Sequence, residues 1–237
     1  MIHRDIKVLI LPVNIVSIPS LTTFYLNKKG IQSKCITYLN SSIHQNYENT
    51  INIPAEGNLF KNPILILNRI KLYLVMTKYY LKADIIHWIH RIPPPLFYWK
   101  FLSLISKKKI HFVEFLGTDT RIPSKLMQIN KYYKKTYYKG YEYAKMESDE
   151  ISYNISKVFH SMGAIPLLVP EMLFYNRSDF FPKSYLLFQR IDLSQFEYQP
   201  FKNENEIIIV HSPTKEITKG SKYVEHAINI LKNEFSN

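Results

Sequence analysis

Three stretches of the chain bring together residue types that could do chemistry. Residues 86–91 (IHWIHR) carry His87 and His90 near the end of an apolar run. A spacing of three on extended backbone points the two rings to opposite faces, so a shared metal is not expected. His87 suits a lone base or hydrogen-bond donor, and a buried, satisfied histidine is an equally open reading. Residues 115–121 (FLGTDTR) put a glycine, a hydroxyl, a carboxylate and a guanidinium directly after another apolar run. Gly117 allows a tight turn. Asp119 could accept from a sugar hydroxyl or cap the following turn, and Arg121 could hold an anion or pair with Asp119. Residues 211–220 (HSPTKEITKG) follow a third apolar run and precede an amphipathic pattern. Helix N-terminal amides, with Lys215, Lys219 and the hydroxyls of Ser212, Thr214 and Ser221, would suit a phosphate there; a plain solvated loop is the alternative. The loop is neither a Walker A sequence nor a GxGxxG turn, and the chain has no nucleophile elbow or paired-carboxylate motif.

The elements that must position these residues alternate. The run 6–13 (IKVLILPV) is continuously apolar and rich in β-branched residues, which predicts a strand buried on both faces. A helical pattern ending at Gly30 follows, then strand formers at 31–39 and a polar loop at 40–58. Residues 63–81 read as a helix, 83–89 as a short strand, 96–106 as a helix beyond three prolines, and 110–116 as a buried strand. Helix 148–163, strand 165–170 and a short strand at 185–188 complete the first unit. This alternation predicts a doubly wound α/β parallel sheet, whose ligands bind beyond the carboxyl ends of the strands. Asn14, His87, His90, Arg91, Gly117, Thr118, Asp119 and Arg121 all fall there.

Composition narrows the setting. With 46% apolar residues, 18 Tyr and 14 Phe in 237, the chain can bury a core and is not a disordered type. A net charge of +12 favours anionic partners without choosing among phosphates, glycans and lipid surfaces. The single cysteine, Cys35, excludes an internal disulfide framework and points to a reducing, cytoplasmic setting. The stretch 63–76 is broken by Asn68, Arg69 and Lys71, so no membrane-spanning helix is predicted. Residues 125–145 interleave lysine with tyrosine. That mixture fits a solvated connecting helix, peripheral contact with a membrane surface, or stacking on single-stranded nucleic acid.

Taken together, these residues resemble a glycosyltransferase of the GT-B fold, closest to the family 4-like group acting on bacterial surface glycans. Residues 83–89 (ADIIHWI) are similar to that family's "DIIH" strand, 113–121 (VEFLGTDTR) to its "hGsDiR" turn, and 211–232 to the "hsPs…KG…i..Ai..L" start of its second domain. Leu116 departs from the pattern, since the family often has histidine there. The resemblance implies two Rossmann-like domains with an acceptor-side domain at 1–190, a linker at 191–206, and at 207–237 the first βα unit of a nucleotide-sugar-binding domain, truncated early. It implies transfer from a nucleotide-sugar to a glycan or lipid-linked acceptor, with no protein-bound metal, no cofactor and no nucleic acid. His87 and Asp119 would be catalytic, Asn14, Gly117, Thr118 and Arg121 acceptor-facing, and Lys215 and Lys219 would approach the donor diphosphate. Family members continue through the rest of the donor domain. The open alternative is therefore a non-catalytic module of a split enzyme that depends on a partner chain.

Overall fold

The computed structural model describes residues 5–38, 47–58, 62–90, 92, 95–106, 108–141, 143–200, 208–213 and 216–235. Its centre is a seven-stranded, all-parallel sheet in the order β3-β2-β1-β4-β5-β6-β7. The strands are β1 (Lys7–Leu11), β2 (Gln32–Thr37), β3 (Thr50–Asn52), β4 (Ile85–Ile89), β5 (Ile110–Phe115), β6 (Ile165–Leu168) and β7 (Tyr185–Leu186). The direction of winding reverses between β1 and β4, the switch point of a Rossmann-like sheet. Parallel strands bury both faces, which is why KVLIL, IIHWI and IHFVEF read as nearly unbroken apolar runs.

Side-chain alternation divides the sheet into two faces. Leu9, Leu11, Ile36, Ile86, Trp88, Val113, Phe115 and Leu168 face one layer of helices. That layer comprises α2 (Ile64–Lys82), α3 (Leu96–Ile105) and α6 (Asp149–Ser161), contributing Leu72, Met76, Tyr80, Trp99, Leu102 and Phe159. Aromatic rings dominate the contact: Trp88 and Trp99 meet edge to face with centroids 5.4 Å apart, and Phe115 meets Phe159 the same way at 5.8 Å. The other face carries Ser33 and Cys35 of β2, covered by α1 (Ile18–Lys28), whose Thr23 carbonyl accepts from the Ser33 hydroxyl at 2.9 Å. His87 and Glu114 lie on this second face, because His87 is in register with Ile10, and Glu114 with Ile89.

Between β5 and β6 the chain also forms α4 (Pro123–Ile129) and α5 (Lys131–Tyr138). Asn130 separates them by accepting from the amides of Tyr132 and Tyr133 at 3.0 and 2.9 Å, which caps α5. Ser148 caps α6 by accepting from the Ile151 amide, with Asp149 and Glu150 in the favourable first turn. After β7 the chain returns to the sheet, and it later forms α7 (Glu216–Lys219) and α8 (Ser221–Glu234). The pattern at 207–210 predicts a buried strand, but residues 208–210 join no strand and Ile208, Ile209 and Val210 are exposed. An apolar run becomes a strand only where a neighbour completes its ladder.

Candidate functional site

The carboxyl edge of the sheet is where the backbone departs most from ordinary conformations. After β1, Val16 and Ser17 take φ of 50° and 59°; after β4, His90 takes 66°. Non-glycine residues rarely adopt this region, a β-branched valine least of all, and such strain collects at ligand sites. After β5, Gly117 has φ of 141°, and a Cβ there would sit 3.2 Å from Arg121 Nη2, so the turn needs glycine. At this edge the constrained positions flank β1, β4 and β5, on both sides of the switch point; among the described residues Asn49, before β3, is the other non-glycine residue with positive φ.

Side chains lock these turns. Asn14 is buried after β1, and its Oδ1 accepts from the Ser20 hydroxyl at 3.2 Å and the Ser20 amide at 3.4 Å, tying the turn to α1. Asp119 is 2% exposed. Its Oδ1 accepts from the Gly117 amide at 2.8 Å, its Oδ2 from the Leu116 amide at 3.2 Å, and Oδ2 lies 3.1 Å from His90 Nδ1. One carboxylate thus joins the β5 turn to the β4 turn and orients the imidazole between them. Thr118 is half-buried and lines, with Asp119, Met146, Ile151 and Ile155, a cavity of ≈ 220 Å³.

Arg121 does not pair with Asp119. It donates to Glu147, a 1% exposed carboxylate that also accepts from the Tyr141 hydroxyl and, at 2.7 Å, from the Tyr133 hydroxyl. The Tyr137 hydroxyl donates to the Glu147 carbonyl at 3.1 Å. Burial first, and then the Glu147 charge, push the Tyr133 and Tyr141 phenols well above their usual range, so both remain donors. Three tyrosines of the lysine–tyrosine stretch, spaced by four, therefore turn toward Glu147, Tyr133 and Tyr141 to its buried carboxylate and Tyr137 to its backbone carbonyl.

On the opposite sheet face, Glu114 is 1% exposed. It accepts two hydrogen bonds from Arg190 Nη2, at 2.7 and 2.9 Å, and lies 3.2 Å from Nε2 of the buried His87. Burial pushes the Glu114 carboxyl up, but the adjacent His87 ring and the Arg190 charge outweigh it, and the net shift is downward. His87 on β4 therefore lies against a carboxylate that Arg190 also engages, whereas Asp119, Arg121 and His90 occupy the rim. Chemically the rim combines an oriented imidazole, a fixed guanidinium and the half-buried Thr118, which suits a polyhydroxylated or anionic ligand.

Lys215 lies outside the described residues, as does Arg91. Lys219 is exposed in α7. A cavity of ≈ 680 Å³ lies between α5 and the α7–α8 segment, lined in part by Lys135, Lys139, Lys222, His226, Tyr141 and Tyr223. Through Tyr141 it connects to Glu147, Arg121 and the β5 turn. Glu114, Glu147, Arg190 and the inward tyrosines were not among the expected site residues. A lone glutamate within the apolar run IHFVEF is the signal that could have found one of them, because a buried carboxylate demands a partner. Among the described residues, no three His, Cys, Asp or Glu side chains group as a metal site. No protein-family model and no curated protein matches the chain.

Proposed function

We propose that the protein is a glycosyltransferase of GT-B architecture that moves a sugar from a nucleotide-sugar to a glycan or lipid-linked glycan in surface polysaccharide assembly, at the cytoplasmic face of the membrane. The observation that carries this reading is the locked carboxyl rim: left-handed backbone after β1 and β4, an obligatory glycine after β5, and Asp119 tying the β4 and β5 turns together. Doubly wound sheets take ligands at this rim. In the transfer, the bond from the sugar carbon to the diphosphate oxygen breaks as one to the acceptor oxygen forms, and cations stabilise the departing diphosphate. Lys215 and Lys219 would serve there, Asn14, Gly117, Thr118 and Arg121 would line the acceptor side, and His87 would be the catalytic base. The engaged oxygens of Asp119 fit a positioning role toward His90.

The test is binding and turnover of UDP- and GDP-sugars by the chain and by a longer form bearing a complete second domain. Nucleotide-dependent thermal stabilisation of both and sugar transfer by the longer one are expected. If neither binds nor turns over any nucleotide-sugar, the enzyme reading fails. The exposed Ile208, Ile209 and Val210, which join no strand among the described residues, favour a second reading, a non-catalytic module completed by a partner chain. That module would bind an anionic ligand yet stay inactive until the partner is added.

A further inference from the structure

We infer that the outward faces of α2 and α3 form one docking surface for an anionic lipid membrane, independently of any glycosyltransferase activity. The two helices are neighbours in the layer on one sheet face, joined by Tyr73, whose ring stacks on Trp99 with centroids 6.0 Å apart and meets Tyr98 edge-on at 5.9 Å. Their inward positions fill the core. Their outward positions are also apolar: Leu67, Ile70 and Leu74 of α2 and Phe97, Phe101 and Leu104 of α3 are 52–75% exposed. At about 100° per residue, Leu67 and Leu74 lie directly opposite the buried Leu72 and Met76, and Phe97 and Phe101 opposite Trp99. The neighbouring α6, in the same layer, presents Asp149, Glu150, Asn154 and Lys157 to solvent instead. The apolar band is thus a property of α2 and α3 and not of the layer.

Charge selects the occupant. The same angular spacing sets Lys71, Lys78 and Lys82 along the margin of the band away from α3, and Lys100 along the margin away from α2; all four are exposed. Neither helix contains an Asp or Glu. An apolar band with phenylalanines at its centre and lysines on both margins matches the interface of an anionic bilayer, where rings enter the acyl boundary and ammonium groups meet phosphates. A second copy docked on this face would confront cationic margins with themselves. No helix among the described residues is long and apolar enough to cross a membrane, so the contact is parallel to the surface. The lysine–tyrosine stretch is a separate surface around α5: Tyr133 and Tyr141 turn inward on Glu147, while Tyr132 and Tyr138 are exposed.

Co-sedimentation with vesicles of phosphatidylglycerol and phosphatidylcholine in equal parts tests the inference, with pure phosphatidylcholine vesicles as reference. The full chain is expected to sediment with the anionic vesicles and far less with the neutral ones. The double variant Leu74→Glu/Phe101→Glu should weaken binding by about thirtyfold or more, from the loss of two inserted side chains. Lys71→Ser/Lys78→Ser should weaken it by about tenfold while steepening no other property, and Lys134→Ser/Lys135→Ser on α5 should leave it unchanged. All these positions are solvent-facing, and circular dichroism with the melting temperature checks that the variants fold. The inference is overturned if the chain ignores anionic vesicles, or if the α2–α3 variants bind as well as the wild type. It is equally overturned if the wild type sediments as a dimer that Leu74→Glu/Phe101→Glu dissociates and no vesicle binding is seen, which would make the band a contact between copies.

Discussion

His111 is the residue whose protonation most directly opposes the fold. It sits in the aromatic layer, 4% exposed and stacked on Trp88 at an interplanar angle of 12°. Trp88 Nε1 donates to its Nδ1 at 3.1 Å, which places the proton of the neutral ring on Nε2, 3.3 Å from the Tyr80 hydroxyl. Burial, helped by the Lys109 charge, pushes its pKa from 6.5 down to about 4. Between those values the unfolded chain binds more protons than the folded one, so stability is present above pH 6.5 and is lost as pH falls toward 4. The loss is on the order of 3 kcal/mol. Glu114 acts in the same direction at lower pH: its carboxyl is held below 4.5, so its contribution is present above that value and fades beneath it. His111→Gln keeps an acceptor for Trp88 but cannot titrate. Urea midpoints of that variant should be flat from pH 6.5 to 5, where those of the wild type decline; an equally steep decline would assign the dependence elsewhere.

At the scale of elements, Glu147 holds the excursion between β5 and β6 together. It anchors α5 through Tyr133 and Tyr141 and the β5 turn through Arg121. Glu147→Ala leaves a part-buried guanidinium and two inward phenols without their acceptor, and should cost about 3 kcal/mol or more in urea unfolding, with faster amide exchange across α4 and α5. Glu147→Gln keeps the side-chain shape and one acceptor and should cost distinctly less; equal costs would mean that the negative charge, which both variants lose, carries the interaction and the packing does not. The sequence made the inner strands legible, because β1, β4 and β5 are buried on both faces and their apolarity is continuous. It hid β3, whose three residues Thr50–Asn52 look like the polar loop around them. The rim turns were legible as glycine, threonine and aspartate after a strand. Their partners were not: Arg190 reaches Glu114 across 76 residues and Glu147 reaches Arg121 across 26, and no local periodicity encodes such pairs. Tyrosines at 133, 137 and 141 did share a helical face in the sequence, yet only the position of Glu147 shows why.

For the whole molecule, the sheet unit closes with the segment after β7. Arg190 neutralises Glu114, and Asp192 accepts from the hydroxyls of Tyr25 at 2.9 Å and Tyr47 at 3.2 Å, while its bonds from Ser194 and these phenols hold its carboxyl at about 2. The stretch expected as a linker at 191–206 therefore begins with a residue, Asp192, that is bound to Tyr25 of α1 and to Tyr47. Beyond it, Phe196 and Tyr198 are exposed, and α8 buries only Ser221, leaving Tyr223 and Phe235 in solvent. Little apolar area is lost from water there, so the segment adds little to the stability of the sheet. A chain ending at Pro200 should melt within a few degrees of the full one. A chain ending at Phe188 removes Arg190 and Asp192, leaves the Glu114 carboxylate buried beside His87 alone, and should melt lower by about 10 °C, since an uncompensated buried charge costs about 3–5 kcal/mol and a domain of this size loses about 2–4 °C per kcal/mol. Calorimetry on the two shortened chains separates the cases. If the chain ending at Pro200 melts as low as the one ending at Phe188, then α7 and α8 are part of the folded unit and the cavity against α5 is a packed interface.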